Sequence, residues 1–590
     1  MIERLHINAN AQYFRVRKKL TKKLITACLK KAAENSIGRN SEIIRHELGI
    51  NNKIFRVSCN VFKTERKPPF LFSGEERDII YCYALLIETD DILIISKSGG
   101  QDFYKMIERS VKHIEATILQ NAFIEETSQI EKIATQSIDT RKNLLKNVTY
   151  QDTNLQVSLP TFSLSQKVVK NIRHKTGDKR YSTITNKSKF NVLGQKGFLT
   201  DFCQTSLEAF SRFDSYKEKE NFLSNFATLL PFSEHSSKLT PKEFLFITTD
   251  LIQLIEENEN QLPKLYYQKP NGRKLYLRGT FLNIVDRYAE LINIEIKKDQ
   301  GTKISYLQNQ FDKTLQLVVT DSKFKLKSKK FKNVFLEFEE HNSINLQQYI
   351  NENQCYNLTF DKSDIRYSAG LLCQDSKLLG NISSFLQIFI PNKVLEKITS
   401  EKGTINKTSK NFSTTSLFHY TESNYSSDVD DLILDDLGYE SSDYIGVKSK
   451  KKIQLFHCKY SKRIFSASAF QEVVGQALKN LNFFYQTSEI DKKAKLWTEK
   501  YADTKISRIR KGDRRKYIDN LKETILSANC DREVYLIINF ISLKTLTEEL
   551  NKLKNNKSSN RQTNQILWLL SSLKHSCDDR GIKIYITCKE

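Results

Sequence analysis

The stretch that decides the reading of this chain is Asp430-Asp431-Leu432-Ile433-Leu434-Asp435-Asp436-Leu437-Gly438-Tyr439-Glu440-Ser441-Ser442-Asp443-Tyr444-Ile445-Gly446-Val447. After a charged turn at 448–451 it continues Lys452-Ile453-Gln454-Leu455-Phe456-His457-Cys458-Lys459-Tyr460-Ser461. Two short apolar runs joined by a polar turn predict an antiparallel hairpin. Asp443 opens its first strand and Lys459 ends its second. Because strand side chains alternate, His457 shares a face with Lys459 and Cys458 falls on the other, as a packed residue. Pairing across the hairpin brings Asp443 towards His457 and Lys459. For a lone His457 the better reading is a buried hairpin in which it is a hydrogen-bonded core residue and Lys459 a surface charge.

The set matches what phosphodiester hydrolysis requires. A carboxylate can hold a divalent cation against a phosphate, where the metal activates water and offsets developing charge. A neighbouring Lys can orient that water or stabilise the charged transition state.

The pattern resembles the PD-(D/E)xK nuclease superfamily, with its restriction-endonuclease-like fold. It is most similar to a branch of bacterial restriction and anti-phage proteins, on Tyr439-Glu440-Ser441-Ser442-Asp443-Tyr444-Ile445 and Ile453-Gln454-Leu455-Phe456-His457-Cys458-Lys459-Tyr460-Ser461. Downstream, Phe470-Gln471-Glu472-Val473-Val474-Gly475-Gln476-Ala477 resembles the helix that follows the catalytic strands, whose Gln reaches the site. Runs at 534–540, 566–573 and 582–587 resemble the closing strand–helix–strand, so the resemblance covers about residues 428–590. It implies Lys459, Asp443, Glu440, His457 and Gln476 as catalytic residues, with Asp443, Glu440 and His457 holding Mg²⁺ or Mn²⁺. The implied role is cleavage of foreign DNA in a bacterial restriction or phage-defence system. The chain departs from the pattern at His457, where a Glu or Gln is usual, and at Tyr439, where a Gly is usual. An RNA-directed nuclease and a non-catalytic binding or assembly subunit are the alternatives.

Within the same region, residues 505–516 carry seven cations and one acid. Lys505, Arg508, Arg510, Lys511, Arg514 and Arg515 are candidates to grip phosphates, or else one solvated helix face.

The whole chain fits a nucleic-acid partner. Its 93 Lys and Arg against 69 Asp and Glu give a formal net charge of +24, which favours polyanions. Codon bias in an AT-rich genome would produce the same surplus. Hydrophobic residues at 39% exclude a disordered chain. Ten cysteines without a CxxC pair exclude a zinc knuckle and read as reduced cytosolic thiols. The start Met1-Ile2-Glu3-Arg4-Leu5-His6 carries no signal stretch, and no apolar run approaches the ~18 residues of a membrane span. The expectation is a cytoplasmic protein without a membrane partner. No GxxxxGK[ST] string occurs, so ATP energy would have to come from a separate ATPase or other defence-system subunit.

A length of 590 residues suggests about three or four units. The expected organisation is a multi-domain α/β protein: an α+β region over 1–150, a helical and hairpin region over 151–300, and a strand-rich region over 301–400. A Ser/Thr/Asn-rich linker over 401–427 then leads to the nuclease-like domain over 428–590. Helices are expected over 20–33, over 102–119 (Ile107, Val111, Ile114 and Ile118 at helical spacing) and near 282–293. Another should start at the capping pattern Thr240-Pro241-Lys242-Glu243 and run to about 257. Hairpins are expected over 79–96 and around Pro270-Asn271-Gly272, and strands at 315–319, 334–338 and 385–390. Lys323, Lys325 and Lys327 fall on one strand face, either towards phosphate or as guards of an edge strand.

Overall fold

Between residues 6 and 198 the chain alternates bulky and polar side chains over long runs, and these pair into one antiparallel sheet. The computed structural model describes residues 5–38, 43–51, 53–66, 76–138, 146–159, 166–219, 221–247, 264–277, 287–288, 291–299, 302–337, 343–375, 386–555 and 557–590. They form a mixed α/β protein with several sheets and two compact units, one within residues 1–377 and one within 378–590.

In the N-terminal unit, His6–Val16 lies between Lys189–Phe198 and Ile92–Ser98. The helix Leu199–Ser215 lays Phe210 and Phe213 against Tyr13. On a separate cluster, the helix Lys22–Ala32 buries Ile25 and Leu29 with Leu86 and Leu93. A second, nine-stranded sheet draws its strands from residues 228–374.

These sheets cross the boundaries expected from sequence. Gln129–Ser137 pairs with Lys167–Thr176 across 150, and Leu291–Asp299 pairs with Thr302–Leu307 across 300. A ladder shared across a boundary ties both sides into one cooperative body.

Several local expectations hold: the helix near 20–33, the hairpin of Asp78–Glu88 with Ile92–Ser98, and the hairpin of Lys264–Gln268 with Lys274–Tyr276. Gly272 sits in that last turn at φ 81°, a conformation other residues rarely adopt. Others give way to pairing. The expected helix over 102–119 is two short helices around a strand, Val111–His113, captured by the end of His6–Val16. The capping pattern at 240–243 opens the strand Pro241–Phe246, hydrogen-bonded on both sides; residues 248–257 of that expected helix lie outside the described residues. The helix near 282–293 likewise falls mostly outside them, and its end, Leu291–Asn293, is in a strand. Local capping chemistry loses where a strand partner from far along the chain satisfies the same backbone groups.

The C-terminal unit is built on a seven-stranded sheet, and its elements are numbered here within that unit. In chain order they are β1 (Phe389–Pro391), α1 (Leu417–Tyr425), β2 (Asp431–Leu434), β3 (Tyr444–Lys448), β4 (Lys452–Lys459), α2 (Ala467–Asn480) and α3 (Ser488–Thr498). Then follow β5 (Ile509–Lys511), α4 (Tyr517–Leu526), β6 (Asp531–Ser542), α5 (Leu543–Lys554), α6 (Arg561–Asp578) and β7 (Ile582–Lys589). The strand order is β1-β7-β6-β4-β3-β2-β5. The half from β1 to β4 is parallel, and the half from β4 to β5 is antiparallel. The parallel steps are bridged by helices, as such connections require.

β4 and β6 are buried almost throughout because both faces are covered. On one face Ile453, Leu455, Leu536 and Ile538 meet Phe470, Val473, Val474 and Ala477 of α2, with Ile566 and Leu570 of α6. Each such side chain contributes roughly 1.5–3 kcal/mol on full burial. On the other face Phe456, Cys458, Tyr535 and Ile537 meet Leu417, Phe418 and Tyr420 of α1.

That second layer corrects the linker expected over 401–427. Ser416 caps α1 by accepting from the His419 N–H at 3.2 Å, and Phe412, Leu417, Phe418 and Tyr420 are buried. Four apolar anchors suffice to fold a stretch whose composition reads as loop.

Candidate functional site

The hairpin of β3 and β4 carries the residues singled out from sequence. Its register, Tyr444 opposite Phe456, puts Asp443 opposite His457. The Asp443 backbone is fixed on both sides: its N–H donates to the Phe456 carbonyl at 2.9 Å, and its carbonyl accepts from the Asp435 N–H at 2.9 Å. Its carboxylate Oδ2 accepts from the Cys458 N–H at 2.7 Å. Lys459, at the end of β4, pairs with Glu472 of α2.

Three further acids gather around Asp443. Burial, opposed by the Cys458 N–H and reinforced by the charges of Asp436, Glu401 and Glu440, holds Asp443 well above the usual carboxylate range. Glu440, half-buried, is raised by burial and then by Asp436. Glu401 is raised mainly by burial; the Tyr460 N–H, Lys459 and Lys402 pull the other way, and Asp436 adds to the rise. Asp436 is held by Lys402 at 2.5 Å and by the Tyr501 hydroxyl at 2.6 Å.

Next to this cluster lies a structural one. Asp435 is fully buried and accepts from Lys493 Nζ at 2.8 Å, Trp497 Nε1 at 2.7 Å and the Ser441 N–H at 2.8 Å. It fixes the loop that carries Glu440. A shallow cleft of about 190 Å³ opens beside Glu440, lined by Tyr439, Lys479, Asn482 and Phe483 among others.

His457 is 2% exposed, its Nε2 has no hydrogen-bond partner among the described residues, and burial pushes its pKa down to about 3. It is therefore neutral, the state a metal ligand requires. Gln476 stands half-buried on α2.

The basic stretch divides in two. Arg508 is buried, donates to the Leu434 and Asp436 carbonyls at 3.3 and 3.0 Å, and lies over the Tyr501 ring. Arg510 clamps Glu422 through two bonds of 2.6 and 2.8 Å. These two guanidiniums hold the unit together, which corrects their assignment as phosphate contacts. Lys511 is exposed but donates to the Ser426 and Val429 carbonyls, both at 2.7 Å. Lys505, Arg514 and Arg515 are exposed on the surface.

Oxygen donors of this kind suit a hard divalent cation. A cation would also offset the burial, and after it the neighbouring acid charges, that raise Asp443 and Glu440. Taken singly, carboxylates are the donors that Mg²⁺ and Mn²⁺ take. Among the described residues, however, no three His, Cys, Asp or Glu side chains stand grouped as ready-made ligands. Glu401, Lys402, Asp436 and Glu472 escaped the sequence reading. Glu401 and Lys402 lie in a stretch without periodicity, and neither Asp436 nor Glu472 differs from any surface acid until its partner is known.

Comparison with protein-family models and with curated proteins finds no match to this chain. No helix among the described residues is long and apolar enough to cross a membrane.

Proposed function

We propose that the C-terminal unit is a metal-dependent endonuclease that hydrolyses DNA phosphodiester bonds, in line with the PD-(D/E)xK superfamily that its motifs resemble. The observation that carries this reading is the buried Asp443 carboxylate, held by the Cys458 N–H at 2.7 Å and acted on by the charges of Asp436, Glu401 and Glu440, on the hairpin whose second strand ends in Lys459. Asp443 and Glu440 would hold Mg²⁺ or Mn²⁺, with neutral His457 as the third candidate ligand. When bound, that cation supplies an activated water and offsets charge on the phosphate. Lys459 orients the nucleophile or stabilises the charged transition state. Glu472 sets the position of Lys459 and so acts through it. Lys505, Arg514 and Arg515 meet the phosphate backbone. Under this reading the biological role is destruction of foreign DNA in a bacterial restriction or phage-defence system.

The test is digestion of duplex DNA, single-stranded DNA and RNA side by side with Mg²⁺ or Mn²⁺. The wild type should cleave DNA, and Asp443→Asn and Lys459→Ala should not. Cleavage of RNA alone would redirect the site to RNA; equal cleavage by folded Asp443→Asn would refute it. The lack of a ready-made ligand group favours one second reading, a non-catalytic nucleic-acid-binding subunit. In that case metal titration of the chain would give no saturable binding.

A further inference from the structure

A pocket in the N-terminal unit has no part in this reading. It has a volume of about 110 Å³ and is framed by residues 112–117, 185, 186, 188, 230–233, 321–323, 354 and 370–372. One wall is apolar, made by Leu230, Pro231 and Phe232, with the Phe232 ring edge-on to Phe324 at 5.1 Å. Elsewhere the lining carries hydrogen-bond donors, among them Thr185, Ser188 and Lys323.

Thr185 is 3% exposed, lines the pocket, and its hydroxyl has no partner among the described residues. Leaving a buried hydroxyl unpaired costs about 1–3 kcal/mol, so the position calls for an occupant. Ser188, also on the lining and 2% exposed, is oriented by a relay. His113 lies between two hydroxyls, with Nε2 at 2.7 Å from Tyr104 Oη and Nδ1 at 2.8 Å from Ser188 Oγ. Burial, with Lys323 and Lys325 nearby, lowers the His113 pKa to about 3, so the ring is neutral and offers one donor and one acceptor. Burial chiefly, with Glu108 and Asp102, raises the Tyr104 phenol, keeping it a donor to Nε2. In the tautomer that carries its proton on Nδ1, Tyr104 donates to Nε2, Nδ1–H donates to Ser188 Oγ, and the Ser188 hydrogen is free to point into the pocket.

The third donor is Lys323, half-buried on the lining, with no ion pair among the described residues. Burial and the charge of Lys325 disfavour its ammonium. The two acids on the lining are already engaged: Asp321 by Arg17, and Glu115 by Lys112 at 3.5 Å. The pocket thus presents the unpartnered Thr185 hydroxyl, the Ser188 hydroxyl and Lys323, which forms no ion pair among the described residues, together with an apolar wall.

We infer that this pocket binds a small organic anion, with a phosphate or carboxylate head on Lys323, Thr185 and Ser188 and a compact apolar body against Leu230, Pro231 and Phe232. Charge-assisted bonds from an ammonium and two hydroxyls match such a head. The volume admits a single group of this size, and polar contacts few in number on an apolar wall are the usual make-up of a small-molecule site.

The experiment is isothermal titration of the full chain, at constant ionic strength, with phenyl phosphate, benzoate and phenol. At least one of the two anions should bind saturably at one per chain, and phenol at least tenfold more weakly; the stronger anion identifies the head. Lys323→Gln should weaken that anion tenfold or more. Thr185→Val is the near-isosteric control against misfolding: it should weaken binding several-fold while raising the melting temperature of the unliganded chain, because it removes an unpaired hydroxyl. Phenol binding as tightly as the anions, no saturable binding of either anion, or unchanged binding in folded Thr185→Val and Lys323→Gln would each overturn the assignment.

Discussion

Replacing Asp443 by Asn removes a charge and keeps the shape. The carboxamide oxygen can still accept the Cys458 N–H, which the carboxylate does at 2.7 Å. What changes is the burden of ionisation. The folded protein raises the pKa of Asp443, by burial first and by Asp436, Glu401 and Glu440 in addition, whereas an unfolded Asp titrates near ~3.9. A group with a raised folded pKa contributes stability that is fully present below ~3.9. That stability is lost as pH rises to the folded pKa, at about 1.4 kcal/mol per pH unit. At neutral pH the wild type bears this loss and the Asn variant does not. Even a tenfold weaker acid in the folded state makes Asp443→Asn more stable by about 1.4 kcal/mol, which for a unit of this size raises Tm by roughly 3–6 °C. A divalent cation should restore part of that stability to the wild type and little to the variant, because binding to the folded state alone stabilises it. Thermal denaturation of both full chains across neutral and mildly acidic pH, with and without Mg²⁺ or Mn²⁺, reads all of this. A variant less stable than wild type at neutral pH, together with a wild type indifferent to both cations, would show that Asp443 is a satisfied structural group. The metal site would then be untenable.

Lys459→Ala should lower turnover on DNA by at least ~10²-fold with affinity nearly unchanged, since the surface cations remain. Equal losses in gel-shift affinity and in cleavage would make Lys459 only a phosphate contact. His457, with its pKa lowered to about 3, binds no proton where an unfolded His does, so it contributes stability above ~6.5 that is lost as pH falls towards 3, at about 1.4 kcal/mol per pH unit. His457→Leu should flatten that acid slope in denaturation curves, and an unaltered slope would place its cause elsewhere. Neutralising Lys505, Arg514 and Arg515 together should lower the slope of log K against log salt by up to about 2.7 on duplex DNA, at about 0.9 for each phosphate left without its cation. Arg510→Ala should instead destabilise the unit by about 3–5 kcal/mol by stranding Glu422, and a normal melting temperature for that variant would contradict its structural role.

The parts of the C-terminal unit legible in the sequence are those whose signals are local. Alternation over β3 and β4, the 3.6-residue spacing of Phe470, Val473, Val474 and Ala477, and the runs of β6, α6 and β7 each fit inside a short window. The sequence brings Asp443 towards His457 and Lys459, but the register that sets it opposite His457 comes from a three-residue turn, 449–451, one residue shorter than the turn read from the sequence.

Tertiary structure decided whatever depends on partners distant in sequence. The strand at Pro241–Phe246 wins over a helix cap because residues 291–293 and 356–360 supply its ladders, and no window around 240 contains them. Arg508 and Arg510 look like their neighbours Arg514 and Arg515 in sequence. Their difference lies in the Leu434 and Asp436 carbonyls and in Glu422, more than seventy residues upstream. The acid cluster is of the same kind. Glu401, Asp436, Glu440 and Asp443 span over forty residues, and only the fold brings the charges of the first three close enough to add to the rise that burial gives Asp443. Sequence determines which side chains can do chemistry and how each short segment prefers to run. Which of them share one desolvated place, and which are already committed to holding the protein together, is set by burial and by long-range pairing.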